Sequence, residues 1–255
     1  MTILDKIVTK RKKRLAAAKK KVPSRSLQRT VDPPRPFFKG GNKVTLIAEC
    51  KKGSPSKGIF LEEYDPVAIA GQYERGGADA ISVLTEQDFF YGSDTHLISV
   101  RDTVSLPVLR KDFIFDPYQV KESWALGADA ILLIAAILSE RQLEKLAMQA
   151  IGLGLEILLE VHSREELERA LTVPATAIGI NARNLKDFTI DLNASKQLCA
   201  LLPKGRIAVA ESGLKSPKAG QEMYQAGFRG FLVGEYFITA KNRMLRVKNF
   251  AAKLK

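Results

Sequence analysis

Cysteine and histidine are nearly absent: two of each stand in 255 residues, and neither pair has the spacing of a metal site or a redox motif. Cys50 and Cys199 could form one disulfide at most, a device of little use in a domain this large. His96 and His162 are isolated in sequence and read as surface or helix-capping groups. No apolar run approaches the roughly 18 to 20 residues that span a bilayer, and the N-terminus lacks the apolar stretch and small-residue cleavage site of a secretory signal. The expected location is the cytoplasm, with no membrane partner. Acidic residues are scarce in one region only. Residues 1 to 43 hold 14 Lys or Arg against Asp5 and Asp32, which accounts for the whole formal net charge of +12; in the rest of the chain the two signs cancel.

That basic arm contains "K-R-K-K-R-L-A-A-A-K-K-K" (Lys10 to Lys21), a run that suits a nucleic-acid patch. Yet Ile3, Leu4, Ile7 and Val8, followed by Leu15 and Ala18, draw the apolar stripe of a helix, and no aromatic residue interleaves with the charges. The expectation is a helix with a solvated basic face and no specific nucleic-acid partner.

The remainder is rich enough in apolar residues, 45% over the whole chain, to build one large core. After "D-P-P-R-P" (Asp32 to Pro36), short apolar runs recur at Val44 to Cys50, Ala80 to Leu84, Pro107 to Lys111, Ala130 to Ile134, Leu155 to Val161, Thr176 to Asn181, Arg206 to Ala210 and Gly230 to Val233. Helical periodicity fills the intervals, as in Pro66 to Arg75, Pro117 to Leu126, Glu140 to Ile151, Arg164 to Leu171 and Pro217 to Ala226. Asp65-Pro66, Asp116-Pro117 and Ser216-Pro217 each offer an N-cap followed by proline at the first helical position. "G-A-D-A" occurs twice, at Gly77 to Ala80 and Gly127 to Ala130, and "A-G-F-R-G" (Ala226 to Gly230) holds the equivalent place before the last strand. Strict alternation with near-continuous apolar strands implies a parallel sheet, and eight units of this size fit a (β/α)8 TIM barrel of class α/β. A doubly wound open sheet is the alternative. The expected division is a basic N-terminal helical extension over 1–43 and a barrel over 44–255.

In a barrel, chemistry sits at the C-terminal ends of the strands. The polar exceptions cluster there. A period of two places Glu49 and Lys51 together on the inward face of the first strand, with Cys50 on the other. The third strand ends at Lys111, the fifth at Glu160, the sixth at Asn181 with Arg183 just beyond, and the seventh at Glu211. Lysines and carboxylates crowded into one partly desolvated cup perturb one another's pKa values, which is how acid and base roles separate at neutral pH. After the seventh and eighth strands, "E-S-G" (Glu211 to Gly213) and "L-V-G-E" (Leu232 to Glu235) place glycines where backbone N–H groups could hold a phosphate.

These motifs resemble the indole-3-glycerol-phosphate synthase family over nearly the whole chain. "I-A-E-C-K-K-G-S-P-S-K-G" is similar to the family's signature, and it is followed in order by "A-I-S-V-L-T-E-Q-D-F-F-Y-G-S", "L-P-V-L-R-K-D-F-I-F-D-P-Y-Q", "A-D-A-I-L-L-I", "L-L-E-V-H-S-R-E-E-L", "I-G-I-N-A-R-N-L", "A-E-S-G" and "F-L-V-G-E". The resemblance implies cyclisation of 1-(2-carboxyphenylamino)-1-deoxyribulose 5-phosphate, with loss of CO2 and water, to indole-3-glycerol phosphate in tryptophan biosynthesis. It implies no cofactor and no metal, and a monomer or homodimer. By the same resemblance Lys111 is the general acid at the ribulose carbonyl, and Lys51 binds the substrate carboxylate or also supplies a proton. Glu160 stabilises the cationic intermediate or assists the departing hydroxyl, and Glu49 takes the final proton. Asn181 and Glu211 hydrogen-bond the substrate hydroxyls and anilino group, and Phe90 and Phe113 flank the ring. Ser54, Arg183, Ser212, Gly213, Gly234 and Glu235 match positions around the phosphate. Glu235 departs from the family's common serine, and a carboxylate repels a phosphate, so only its backbone N–H is expected to face the ligand. The main rival is another phosphosugar barrel that uses Lys51 or Lys111 as a Schiff base. A barrel whose basic arm serves a nucleic acid or protein partner is the rival from outside enzymes.

Overall fold

The computed structural model describes residues 2–184 and 187–254. Eight strands form a closed parallel barrel: β1 (Thr45–Cys50), β4 (Ala80–Leu84), β5 (Val108–Lys111), β6 (Ala130–Ile134), β7 (Glu156–Val161), β8 (Ala177–Asn181), β9 (Ile207–Glu211) and β10 (Gly230–Val233). β10 pairs back onto β1, which removes every edge. Between β1 and α2 (Pro66–Arg75) a small antiparallel hairpin of β2 (Gly53–Ser54) and β3 (Gly58–Ile59) stands at the barrel mouth. The outer ring continues through α3 (Asp94–Thr103), α4 (Pro117–Ala125), α5 (Glu140–Gly152), α6 (Arg164–Leu171), α7 (Leu192–Ala200), α8 (Pro217–Gln225), α9 (Glu235–Ile238) and α10 (Arg243–Ala251). No helix among the described residues is long and apolar enough to cross a membrane.

Every barrel strand lies within one residue of the bounds expected from its apolar run, because parallel strands buried on both faces leave the plainest signal in a sequence. α3 and α7 carry weaker signals. α3 contains "T-H-L-I-S-V-R-D-T", crowded with β-branched and hydroxyl residues of low helix propensity, and is held by its Ser93 cap and by the burial of Leu97, Val100 and Arg101. The repeated "G-A-D-A" has a structural purpose. Asp79 and Asp129 each accept an N–H from the start of a neighbouring strand, from Leu46 at 2.8 Å and Val108 at 2.7 Å, so each aspartate fixes strand register at the bottom of the barrel.

The core has two layers. Ile47, Leu109, Leu132, Leu158, Val209 and Leu232 fill the barrel interior, and a larger cluster seals strands to helices. Phe37 and Phe38 join the interior layer, and their backbone N–H groups donate to the carboxylate of Glu156 at the start of β7 (3.0 and 3.1 Å). The segment ahead of β1 therefore plugs the end opposite the mouth.

Helix α1 (Ile3–Lys21) opens with a reciprocal capping box between Thr2 and Asp5 and buries Ile7 and Leu15. Its basic face is not wholly solvated. Lys10, Lys12, Lys13, Lys20 and Lys21 are exposed, but Arg11 lies buried in the apolar stripe, where it grips Asp112 with two hydrogen bonds of 2.9 and 3.0 Å. Three residues on, Arg14 makes the same two-pronged contact with Asp88 at 2.6 and 2.9 Å and a third bond to Gln87. Lys19 pairs with Asp116 at 2.7 Å. The arm is thus ion-paired to the loops after β4 and β5, an arrangement that a local reading of charge and periodicity does not contain.

Arg11→Ala removes one partner from a buried ion pair and is expected to cost about 3 kcal/mol in urea denaturation. Arg164→Ala, which breaks the exposed Arg164–Glu168 pair on α6, should change stability by less than about 1 kcal/mol. Since Arg11 and Arg110 outweigh burial and hold the Asp112 carboxyl below its ordinary value, this stabilisation is complete above about pH 4 and is lost as acid titrates the folded group.

Candidate active site

Alternation along β1 points Glu49 and Lys51 into the mouth, where they pair at 2.6 Å, and sends Cys50 outward into the wall between strands and helices. Lys111 ends β5 and lies 2.9 Å from Glu211 of β9 and 3.5 Å from Glu160 of β7. Both carboxylates are buried. Asn181, the last residue of β8, lies between those two strands; its amide bonds to Glu160, and its side-chain oxygen accepts the Arg183 N–H at 3.0 Å.

Two glycines make this crowding possible. A Cβ on Gly179 would stand 2.1 Å from Glu211 Oε1, and one on Gly234 would stand 2.3 Å from Glu49 Oε1 and 3.0 Å from Lys51 Nζ. Each strand gives up a side chain so that a neighbour's charged group can occupy the space.

Electrostatics divides the cluster. Burial opposes charge on Lys111, but Glu211, Glu160 and Glu49 outweigh it and hold the ammonium well above the ordinary lysine range. Burial likewise opposes charge on Glu160, yet Lys111, His162 and Asn181 pull its pKa far below normal. Glu211 moves the other way: burial raises it, repulsion from Glu160 adds to the rise, and Lys111 only partly compensates. The cup therefore holds a firmly protonated lysine, a firmly ionised glutamate and a second glutamate ready to take a proton.

The other walls separate an apolar half from a half formed by glycine-bearing turns and Arg183. Phe90 and Phe113 face each other with centroids 6.1 Å apart, and Phe60, Leu132 and Ile134 continue the apolar lining. The loop carrying Phe90 is organised by buried Glu86, whose carboxylate accepts N–H bonds from Asp88, Phe89 and Phe90 at 2.8 to 3.1 Å. Ile3, Leu4 and Ile7 of α1 reach the same cavity. Opposite, Ser212 and Gly213 both adopt positive φ, 64° and 74°, a turn that makes a backbone concavity after β9. Gly234 opens α9 beside it without a capping side chain. Ser54 and Arg183 line the same side.

The structure brings all the expected site residues to this one cavity. The Glu235 side chain forms an ion pair with Lys57 at the tip of the β2–β3 hairpin, which offsets its charge beside the Ser212–Gly213 turn. Glu86, Gly179 and His162 were not expected there. Glu86 and Gly179 leave no local mark in the sequence; the four-residue spacing from His162 to Glu166, across the start of α6, was readable. Among the described residues no group of three or more His, Cys, Asp or Glu could hold a metal ion.

Gly179→Ala is expected to drive the Glu211 carboxylate off Lys111 in a crystal structure of the variant and to reduce turnover about a hundredfold, the scale of an ångström-sized misplacement. Gly152→Ala, where the new methyl meets open space, should leave both unchanged.

A family profile described as indole-3-glycerol phosphate synthase matches residues 4–250. The chain is 49% identical over 211 residues to the indole-3-glycerol phosphate synthase of Azospirillum brasilense, covering 83% of this chain and 78% of that protein. It is 45% identical over 249 residues to the enzyme of the same name from Campylobacter jejuni strain RM1221, covering 94% and 96%. Among solved structures, a 3-hexulose-6-phosphate synthase superposes with a TM-score of 0.68 at 13% identity, over 83% of this chain and all of that one; the likeness is one of fold. Sequence kinship, barrel and cup agree: the chain belongs to the indole-3-glycerol phosphate synthase family.

Proposed function

We propose that the cup closes the five-membered ring of 1-(2-carboxyphenylamino)-1-deoxyribulose 5-phosphate, releasing CO2 and water to give indole-3-glycerol phosphate, with Lys111 as the general acid. The observation that carries this reading is the Lys111 ammonium, kept protonated between Glu160 and Glu211 at the centre of a cavity with an apolar slot on one side and an anion site on the other.

The substrate is anionic at both ends and aromatic near one of them, which matches that division. Its phosphate would lie against the Ser212–Gly213 turn, the Gly234 backbone and Arg183, with Ser54 nearby and the Glu235 N–H turned inward. Its ring would sit between Phe90 and Phe113, with the carboxylate toward Lys51. Lys111 then protonates the ribulose carbonyl oxygen as the ring carbon attacks, so the developing alkoxide never bears full charge. Decarboxylation follows from the cationic adduct, which ionised Glu160 stabilises. The hydroxyl departs as water with a proton from Lys51, and Glu49 removes the proton that restores aromaticity. Asn181 and Glu211 hold the hydroxyls and anilino nitrogen. No step requires a cofactor. We read the protein as a cytoplasmic enzyme, monomer or homodimer, in which residues 1–43 extend a barrel over 44–255.

A Schiff-base aldolase or isomerase needs a neutral amine as nucleophile. Lys111 is held in the opposite state by its carboxylate neighbours, which favours the acid role.

With the carboxyphenylamino-deoxyribulose phosphate as substrate, indole fluorescence should rise, and Lys111→Ala should lower kcat at least about a hundredfold. Borohydride added during turnover should trap no imine. A folded wild type without turnover, or full activity in the variant, defeats the reading.

A further inference from the structure

The mechanism leaves aside one basic group in direct contact with Glu160. His162 follows β7 by one residue, and its side chain is only 13% exposed. Its Nε2 lies 3.2 Å from Glu160 Oε1, and its Nδ1 lies 3.2 Å from Glu166 Oε2. Glu166 is itself fixed. Its second role is to accept the His162 backbone N–H at 2.8 Å, and its own N–H is capped by Ser163 at the start of α6 (3.2 Å).

A neutral imidazole has one N–H and one lone pair. Here Nδ1 hydrogen-bonds to Glu166, and Nε2 lies 3.2 Å from Glu160 Oε1 without the alignment of a hydrogen bond, so the ring is seated between two carboxylates, a place that favours the imidazolium over the neutral ring. The titratable groups against the ring are Glu160 of β7 and Glu166 of α6; Lys111 of β5 and Glu211 of β9 lie beyond Glu160. Glu160 thus has Lys111 and Asn181 as partners and the His162 ring 3.2 Å away, whereas Glu211 has Lys111, and among the described residues its buried Oε1 has no hydrogen-bond partner.

We infer that His162 is a positioning residue which, as a permanent imidazolium, keeps Glu160 ionised and correctly aimed and leaves Glu211 as the carboxylate that carries the mobile proton. The reason is asymmetry. Two carboxylates that share one lysine resist being ionised together, and a second cation on one side decides which of them yields. Burial alone would favour the neutral ring, but Glu160 and Glu166 outweigh it and lift the His162 pKa to about 10. This inference rests on the proposed cyclisation for its catalytic half and on the ring's seat between Glu160 and Glu166 for its charge.

The test separates the two halves. With only two histidines in the chain, nitrogen NMR of the labelled imidazoles, assigned with His96→Gln, reads the His162 ring directly. Both nitrogens should be protonated at pH 8; a ring that titrates near the ordinary value of about 6.5 overturns the inference whether or not the enzyme turns over. In the cyclisation assay, His162→Gln should lower kcat about tenfold with KM changed less than about twofold, and should move the acid limb of the kcat profile up by about one pH unit, while His162→Arg restores that limb. A Gln variant with the wild-type limb, or an Arg variant as impaired as Gln, also overturns it. Absence of turnover in the folded wild type counts against the proposed function instead, and the NMR result still decides the charge of His162.

Discussion

An ammonium largely withdrawn from water at the top of a barrel is tolerable only with negative charge close by, and Lys111 obtains it from two strands that are not its neighbours. Glu160 and Glu211 reach it across the mouth from β7 and β9, which parallel pairing to β8 holds at fixed height: Glu160 is level with Gly179, and Asn181 with Glu211. The need to seat those carboxylates explains the missing side chain at Gly179, and the Glu49–Lys51 pair explains that at Gly234. Much of the inner rim follows from placing a cation at its centre.

The same strand end supports a second set of charges on the opposite side of the wall. Arg110, one residue before Lys111, is fully buried among Asp94, Glu122 and Thr85, and Asp112, one residue after, receives Arg11 of the arm. Helix α1 is therefore fastened within one residue of the proposed acid and, through Arg14 and Asp88, near the loop that carries Phe90. A cap built of distant sequence becomes continuous with the site through paired charges, while its leucine and isoleucines supply apolar cover.

The barrel was legible because its strands are apolar on both faces and three of its helices, α2, α4 and α8, open with Asp-Pro or Ser-Pro. Convergence of Glu49, Lys51, Lys111, Glu160 and Glu211 was legible from period-two alternation at strand ends, and their roles from family motifs. What the sequence withheld is long-range partnership. Nothing near Arg11 announces Asp112, a hundred and one positions away, and nothing near Lys57 announces Glu235. Glu86 looks like any acidic loop residue until its carboxylate is seen to gather three N–H groups. α3 escaped notice for the opposite reason: its local propensity is poor, and tertiary burial makes the helix.

The succession Arg110, Lys111, Asp112 also limits how this strand can change over generations. Three adjacent residues serve three places: the helix layer, the cup and the arm. Inserting or deleting one residue within β5 would exchange the inward and outward faces, carry the ammonium into the helix layer and aim the guanidinium into the cup. No intermediate register satisfies either network. The strand can drift by substitution, but its length is frozen.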